Sequence, residues 1–162
     1  MATDASPRRD VLLEVSTIGT PSVVRDGQAV TFATRHAACA LTWLCVADGA
    51  RVPVEEMAVA LWPTAAESRL AHRLATMTWQ IRRALGDAAG LVVRTPDALR
   101  VDPSLVTVDL VAARWSARMA RAAGKPIDDA DVAVLSAAHC TPYADMAWVA
   151  ALRATNAEIL AL

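Results

Sequence analysis

The sequence predicts an α+β fold: an N-terminal winged helix made of a small antiparallel sheet, three helices and a hairpin, followed by an all-α helical domain. Two observations carry this prediction. Residues 67–85 form a basic, amphipathic run that ends on Gly86-Asp87, a helix stop. Residues 91–101 follow it directly with the pattern of a β-hairpin. In a winged helix, a basic helix and the hairpin directly after it form the surface that binds DNA.

The composition supports a folded chain with a local rather than a global basic surface. The chain has 162 residues, of which 55% are hydrophobic, so it can bury a core and disorder is not expected outside its ends. Its net charge of -1 means that any nucleic-acid surface is a patch. Lys125 is the one lysine among 16 basic residues, but heavy use of arginine and alanine fits a GC-rich genome equally well.

Cysteine usage and the chain's N-terminus indicate a cytoplasmic protein. Cys39, Cys45 and Cys140 are an odd number without framework spacing, which predicts buried free thiols in a reducing compartment. No run of 18 uncharged apolar residues exists, so no membrane span is expected. Residues 1–10 are polar and expected to be flexible. The apolar stretch after them is short and contains Glu14, which fits a strand and not a signal peptide.

The N-terminal part predicts a small antiparallel sheet. Residues 11–17 have strand character. Residues 22–25 and 29–32 flank Asp26-Gly27-Gln28, and Asp-Gly between two β-prone runs is a hairpin signal.

Two helices are predicted next. Residues 35–47 repeat apolar side chains at helical spacing, and Asp48-Gly49 ends the run. Residues 53–61 form a shorter helix whose first turn holds Pro53 and two glutamates, which suit a helix N-terminus.

The third helix, residues 67–85, has an apolar stripe and a polar face. The stripe has helical spacing: Leu70, Leu74, Thr78, Ile81 and Leu85. The outward positions are Arg69, His72, Arg73, Thr76, Gln80 and Arg83. Arginine pairs with guanine, glutamine with adenine, and threonine contacts the thymine methyl, so this face suits base edges and phosphates. Arg82 lies nearer the stripe, with a structural or phosphate role. For an isolated helix, a solvated face is the competing interpretation.

Three further arginines are candidate backbone contacts. Arg94 and Arg100 lie in the hairpin and could contact phosphate or the minor groove, or serve as edge-strand charges that block aggregation. Arg35 follows Thr34 at the start of the first helix, where a helix N-terminus could meet phosphate. A plain N-cap is the favoured role for Thr34.

A domain boundary is predicted at residues 102–104, dividing the chain into residues 11–103 and 104–162. The second part is expected to be helical throughout. Asp109 starts a helix with a predicted buried stripe of Val111, Trp115, Met119 and Ala122. Asp128 or Asp129 caps the next, with Val132 and Leu135 inward, and residues 144–162 form the last, with Trp148, Val149, Leu152 and Ile159 apolar. Its apolar end is expected to pack on something further, so either this domain is truncated and the chain is a fragment, or the partner is another subunit.

The tryptophans receive separate predictions. Trp79 lies beside the core stripe of the third helix, and packing against the sheet or hairpin is favoured over a base contact. Trp43 points away from its helix's main stripe and is expected to meet the second domain. Trp115 and Trp148 are expected to form the core of the helical domain.

Catalytic, metal and cofactor sites are not expected. His36 and Cys39 are one helical turn apart, but no CxxC or HxxxH pattern exists. Phosphate-loop, nucleotide and GxSxG motifs are absent. The acidic cluster Asp128, Asp129 and Asp131 lacks calcium-loop spacing. The sequence therefore makes no case for an enzyme.

Two sequence motifs stand at a characteristic separation: residues 55–63, EEMAVALWP, which contain Leu61-Trp62, and residues 82–86, RRALG. In these motifs the chain resembles the SARP/AfsR type of bacterial activator, and residues 55–63 resemble the family's second helix. The match extends through 91–94, 99–101 and 108–110, and to Tyr143 and Trp148-Val149. Arg73 stands where the family often has Asn, and residues 97–99 stand where several members have Gly-Tyr. The resemblance implies an OmpR-like winged-helix domain followed by a short, tetratricopeptide-like bacterial transcriptional activation domain (BTAD).

The resemblance implies a sequence-specific DNA-binding transcriptional regulator, an activator, that binds direct-repeat or palindromic promoter DNA as a homodimer. The helical domain would mediate dimer or RNA polymerase contact. Two alternatives stay open: a degenerate winged helix that serves as a protein-interaction module without binding DNA, and a ligand sensor with a pocket between the helices of Trp115 and Trp148.

Overall fold

A four-stranded mixed sheet begins the fold. The computed structural model describes residues 11–162, so the segment predicted to be flexible, 1–10, lies outside the described residues. The strands are β1 (Leu13–Ser16), β2 (Ser22–Arg25), β3 (Gln28–Ala29) and β7 (Val106–Val108), in the order β3-β2-β1-β7. The predicted antiparallel pairing holds for β1, β2 and β3, but β1 and β7 run parallel. The sequence prediction missed this pair because its crossover is the whole segment of helices and hairpin between the two strands.

The β2–β3 turn is tighter than predicted. Asp26 and Gly27 both have positive φ, 51° and 76°. This is the backbone that a two-residue hairpin loop with a primed turn requires. Gln28 therefore belongs to β3, and the predicted strand at 29–32 is wrong beyond Ala29.

The first three helices lie where the sequence predicts them. They are α1 (Arg35–Val46), α2 (Val54–Leu61) and α3 (Glu67–Leu85). Thr34 is the N-cap of α1, since its hydroxyl accepts a hydrogen bond from the Ala37 N–H at 3.2 Å. Gly86 ends α3 with a φ of +56°, and a Cβ there would lie 2.8 Å from Arg25 Nη1. The Arg25 guanidinium itself donates to the Leu85 carbonyl.

The hairpin is one part of a three-stranded sheet. The strands β5 (Val92–Arg94) and β6 (Ala98–Val101) form the predicted hairpin, and β4 (Val52–Pro53) pairs with the outer edge of β6. β4 has two residues, which is too short for a periodic sequence pattern to reveal.

Three helices complete the chain: α4 (Asp109–Ala122), α5 (Asp129–Ser136) and α6 (Ala147–Ala161). Asp128 caps α5 by accepting from the Ala130 N–H at 2.8 Å. The four predicted apolar residues of α6 are buried: Trp148, Val149, Leu152 and Ile159. The prediction that residues 104–162 are all helical is wrong at β7. The domain division at residue 103 stays a prediction.

The predicted inner face of α4 is wrong. Trp115 is 67% exposed and Met119 is 51% exposed, whereas Leu110, Ala113 and Ala117 are buried. Both sets have helical spacing, so periodicity cannot choose between them. The face of α4 that carries Ala113 and Ala117 has small side chains, which allow neighbouring helices to pack closely. The larger side chains of Trp115 and Met119 are left in solvent. On α5, Leu135 is buried as predicted, but the predicted inward Val132 is 36% exposed.

Two buried contacts join the N-terminal part to the later helices. Trp43 on α1 stacks on Trp148 of α6, with ring centroids 5.7 Å apart and planes 7° apart, which confirms the predicted contact of Trp43. Thr17, just after β1, is fully buried, and its hydroxyl lies 2.7 Å from Asp109 Oδ1 and 2.8 Å from His139 Nδ1. His139 Nε2 lies 2.6 Å from the Val134 carbonyl oxygen.

The three cysteines are buried free thiols, as predicted. Burial raises the pKa of Cys39 and of Cys45 to about 12, and that of Cys140 to about 11, because a thiolate loses its hydration in the core. Within residues 11–162, no helix combines the length and apolarity needed to cross a membrane. In the same range, no three His, Cys, Asp or Glu side chains are grouped to hold a metal ion.

Candidate nucleic-acid interface

The inner stripe of α3 sets which side chains face outward. Leu74, Thr78, Ile81 and Leu85 of the predicted stripe are buried, as is Met77. The Thr78 hydroxyl donates to the Leu74 carbonyl at 2.8 Å, which satisfies this polar group inside the core. Leu70 is half-buried and lines a groove between α2, α3 and the hairpin turn.

The outer face of α3 is cationic and exposed. Five of the six predicted outward residues are exposed: Arg69, His72, Arg73, Thr76 and Arg83. The helix holds four arginines and one acid, Glu67, which gives it a formal charge of +3 in a chain whose net charge is -1. The positive charge is therefore concentrated on this helix, as the composition requires of any nucleic-acid surface.

Gln80 is half-buried and tied to α1. Its Oε1 accepts a hydrogen bond from the Thr34 hydroxyl at 2.9 Å. Because Thr34 also caps α1, this contact couples the start of one helix to the outer face of the other. A surface depression of about 230 Å³ lies here, and its lining includes His72, Arg73 and Thr76. The carboxamide nitrogen of Gln80 keeps its donor capacity while the oxygen is engaged.

Arg82 and Arg83 are adjacent but have different partners. Arg82 Nη2 donates to the Val92 carbonyl of β5 at 3.2 Å, so this side chain joins α3 to the hairpin sheet. Arg83 lies over the Trp79 ring, with its Cζ 5.1 Å from the ring centroid. Trp79 is 56% exposed, so the prediction that it packs against the sheet or hairpin is wrong. Trp79 lies at the edge of the core stripe, and from the sequence a residue there can be either buried or exposed.

The hairpin arginines lie on different surfaces. Arg94, at the end of β5, is exposed and lines the groove between the hairpin turn, α2 and α3, which has a volume of about 630 Å³. Arg100 on β6 is half-buried and lies opposite Val93 in the antiparallel register. The hairpin turn is held by Arg51, which the sequence analysis did not select.

Arg51 fixes the tip of the hairpin. Its Nη2 lies 2.7 Å from Asp97 Oδ1 and donates to the Thr95 hydroxyl at 3.2 Å. The Thr95 hydroxyl and the Arg51 charge both lower the pKa of Asp97. The arginine offsets the one acid of the turn, whose charge would otherwise repel a polyanion. No sequence signal links residues 46 positions apart, so only the structure reveals this pair.

Arg35 contacts the C-terminal part of the chain. Its guanidinium donates to the Pro142 carbonyl and lies over the Tyr143 ring, with Cζ 5.3 Å from the centroid. These contacts hold the start of α1 against residues 141–143. The expected phosphate contact of Arg35 stays a prediction, as do the DNA contacts expected of the other arginines.

The architecture is shared with a solved structure. Comparison with protein-family models and with curated proteins gives no match. Among solved structures, the chain is similar to EmbR of Mycobacterium tuberculosis, solved in complex with a low-affinity phosphopeptide. The TM-score is 0.65 and the identity 22%, over 91% of this chain and 42% of EmbR. At this identity the similarity shows a shared fold, and the chain spans less than half the length of that neighbour.

Proposed function

We propose that this chain is a sequence-specific, DNA-binding transcriptional regulator of the SARP/AfsR type, in which α3 enters the major groove and the β5–β6 hairpin acts as the wing. The observation that carries the proposal is the exposed face of α3, where Arg69, His72, Arg73 and Thr76 lie together on the helix directly before the hairpin. An α-helix about 10–12 Å across fits a major groove about 12 Å wide. The fold shared with EmbR and the sequence resemblance support the same function.

The residue types suggest how contacts are divided. Arg69 and Arg73 can donate bidentate hydrogen bonds to guanine, and the Thr76 methyl can pack on the methyl of thymine. The proposal assigns phosphate contacts, which fix orientation and carry no sequence information, to Arg94 and Arg100 on the two faces of the wing and to Arg82 beside it, which would have to leave its Val92 partner. Arg35 would add a phosphate contact only by leaving its Pro142 and Tyr143 partners.

The proposal also includes the protein's mode of regulation and its partners. The protein would act as an activator, bind promoter DNA as a homodimer and contact RNA polymerase through its helical part. These roles rest on the sequence resemblance to the family.

The test is a DNA-binding titration with defined duplexes. A randomised 30-base-pair duplex library would be enriched on the immobilised protein, and the dissociation constant of the enriched duplex measured by fluorescence anisotropy at several salt concentrations. Arg69→Ala and Arg73→Ala should each weaken binding, by about 5- to 150-fold if the lost contact is a bidentate base pair. Affinity should fall by about 10³-fold or more over a few-fold rise in salt if several phosphates are contacted.

Arg118→Ala is the matched control, since Arg118 is also an exposed helical arginine but belongs to α4 and not to α3. It should bind like the unmodified protein. Two results would contradict the proposal: no duplex is enriched, as expected of a protein-interaction module, or the Arg69 and Arg73 variants bind as tightly as the Arg118 variant. No structural observation favours the ligand-sensing alternative. That alternative requires a pocket between the helices of Trp115 and Trp148, but Trp115 faces solvent.

A further inference from the structure

Trp79 is an exposed aromatic side chain on the helix proposed to bind DNA. More than half of its surface is accessible, 56%, although two buried residues of the α3 core stripe are close in sequence: Thr78, one position before it, and Ile81, two positions after it. Leaving an indole in water forfeits the free energy that its burial would contribute. Among residues 11–162, the Trp79 ring has a cation–π contact with Arg83, and this contact suggests a role for the indole.

The Trp79–Arg83 pair is one helical turn apart, at positions i and i+4. Side chains at this spacing lie above one another on a helix surface. The Arg83 Cζ is 5.1 Å from the indole centroid, within the range of a cation–π contact. Both residues are exposed, so the stacked guanidinium keeps its edge, with its N–H donors, available to a ligand.

Arg82, which precedes Arg83 in the chain, has a different partner. Arg82 turns to the hairpin and donates to the Val92 carbonyl, so its orientation serves the fold. Arg83 lies in line with Thr76 and Arg69, because residues seven apart on a helix differ by only about 20° around its axis. Arg83 thus belongs to the exposed cationic face, and the aromatic partner is what limits its rotamers.

We propose that Trp79 is a positioning residue, whose indole holds the Arg83 guanidinium ready for a bidentate contact with acceptor atoms of duplex DNA. This inference rests on the proposed function and adds a residue to it. A free arginine side chain loses much conformational entropy when it forms a bidentate contact, and a stacked one loses less. Water leaves the site when DNA binds, which strengthens the cation–π contact. The acceptors are either a phosphate or the O6/N7 edge of guanine.

A double-mutant cycle on DNA binding tests this inference. Arg83→Ala should weaken binding of the enriched duplex by about tenfold or more, and Trp79→Leu by about three- to tenfold. Adding Trp79→Leu to Arg83→Ala should cost little further affinity, because the indole has no guanidinium left to orient. Trp79→Phe keeps an aromatic face and should retain most of the affinity. All variants should melt within a few degrees of the unmodified protein, since both positions are exposed.

Two further measurements identify the acceptor. If Arg83 contacts a phosphate, its removal lowers the slope of log affinity against log salt by about one. If it contacts guanine, 7-deazaguanine in the duplex lowers the affinity of the unmodified protein and leaves that of Arg83→Ala unchanged.

The inference is overturned if the losses of Trp79→Leu and Arg83→Ala add in full, if Trp79→Leu or Arg83→Ala binds normally, or if Trp79→Phe binds as weakly as Trp79→Leu. In those cases the unmodified protein still binds DNA with salt dependence, so the proposed function stands. Absence of any salt-dependent binding by the unmodified protein would remove both proposals together.

Discussion

Replacing Asp109 by alanine should destabilise the protein far more than its place in the first turn of a helix suggests. Its carboxylate accepts hydrogen bonds from the Thr17 N–H at 3.0 Å, the Thr17 hydroxyl at 2.7 Å and the Ser16 hydroxyl at 3.1 Å. It also accepts from the Leu110 N–H at 2.7 Å. Through these contacts, the start of α4 is joined to the end of β1.

The magnitude follows from what alanine would leave unpaired. Thr17 is fully buried, so its N–H would lose its partner without access to water. Such an orphaned group costs about 1–3 kcal/mol. Once Asp109 is removed, the Thr17 hydroxyl can turn its one proton to His139 Nδ1, 2.8 Å away, so the loss of its charge-assisted hydrogen bond to Asp109 is partly offset. We expect Asp109→Ala to lower the free energy of unfolding by about 2–4 kcal/mol, and Asp109→Asn, which keeps one acceptor oxygen, by about half as much.

The assay is urea denaturation followed by tryptophan fluorescence, with an unchanged m-value as the sign that the transition stays comparable. Asp129→Ala is the matched control, because Asp129 also lies in the first turn of a helix but is exposed. It should cost about 0.3–1 kcal/mol through the lost interaction with the helix dipole. If Asp109→Ala lost no more stability than Asp129→Ala, the buried hydrogen bonds would contribute nothing and the reasoning would be refuted.

Two further predictions concern side chains whose burial the structure decides. Trp43→Ala should lower the free energy of unfolding by about 3–5 kcal/mol in the same assay, because Trp43 is buried against Trp148. Trp115→Ala, at an exposed position, should change it by about 0.5 kcal/mol or less. Equal losses for the two variants would contradict the packing. The three buried thiols should not react with Ellman's reagent at pH 8 until urea unfolds the protein. Because folding raises their pKa from 9.0 to about 11–12, stability should fall as the pH rises above 9, and a flat profile from pH 9 to 11 would contradict this.

Local patterns predicted the elements of the fold well. The bounds of α3 are those expected from its apolar stripe and from Gly86, and the β2–β3 and β5–β6 hairpins follow their turn residues. These signals are contained within one element or one turn, so the amino-acid sequence displays them directly. The outward positions Arg69, His72, Arg73 and Thr76 were predicted for the same reason, since they are the complement of a buried stripe.

Long-range pairing was not predictable in this way. The parallel β1–β7 pair, the β4 strand and the Arg51–Asp97 contact each join residues far apart in the chain. The sequence contains no periodic signal for such contacts, because their formation depends on how already formed elements pack.

The amino-acid sequence by itself determined the order of the helices and hairpins, the basic helix and the buried thiols. Tertiary structure decided which of two apolar stripes on α4 is buried, where Trp79 lies, and which arginines are engaged by the protein itself. The physical reason is that helical periodicity specifies which residues share a face, whereas the neighbouring elements specify which face has a partner. On α4 the alanine face permits the closer approach, and Trp115 and Met119 consequently remain in solvent.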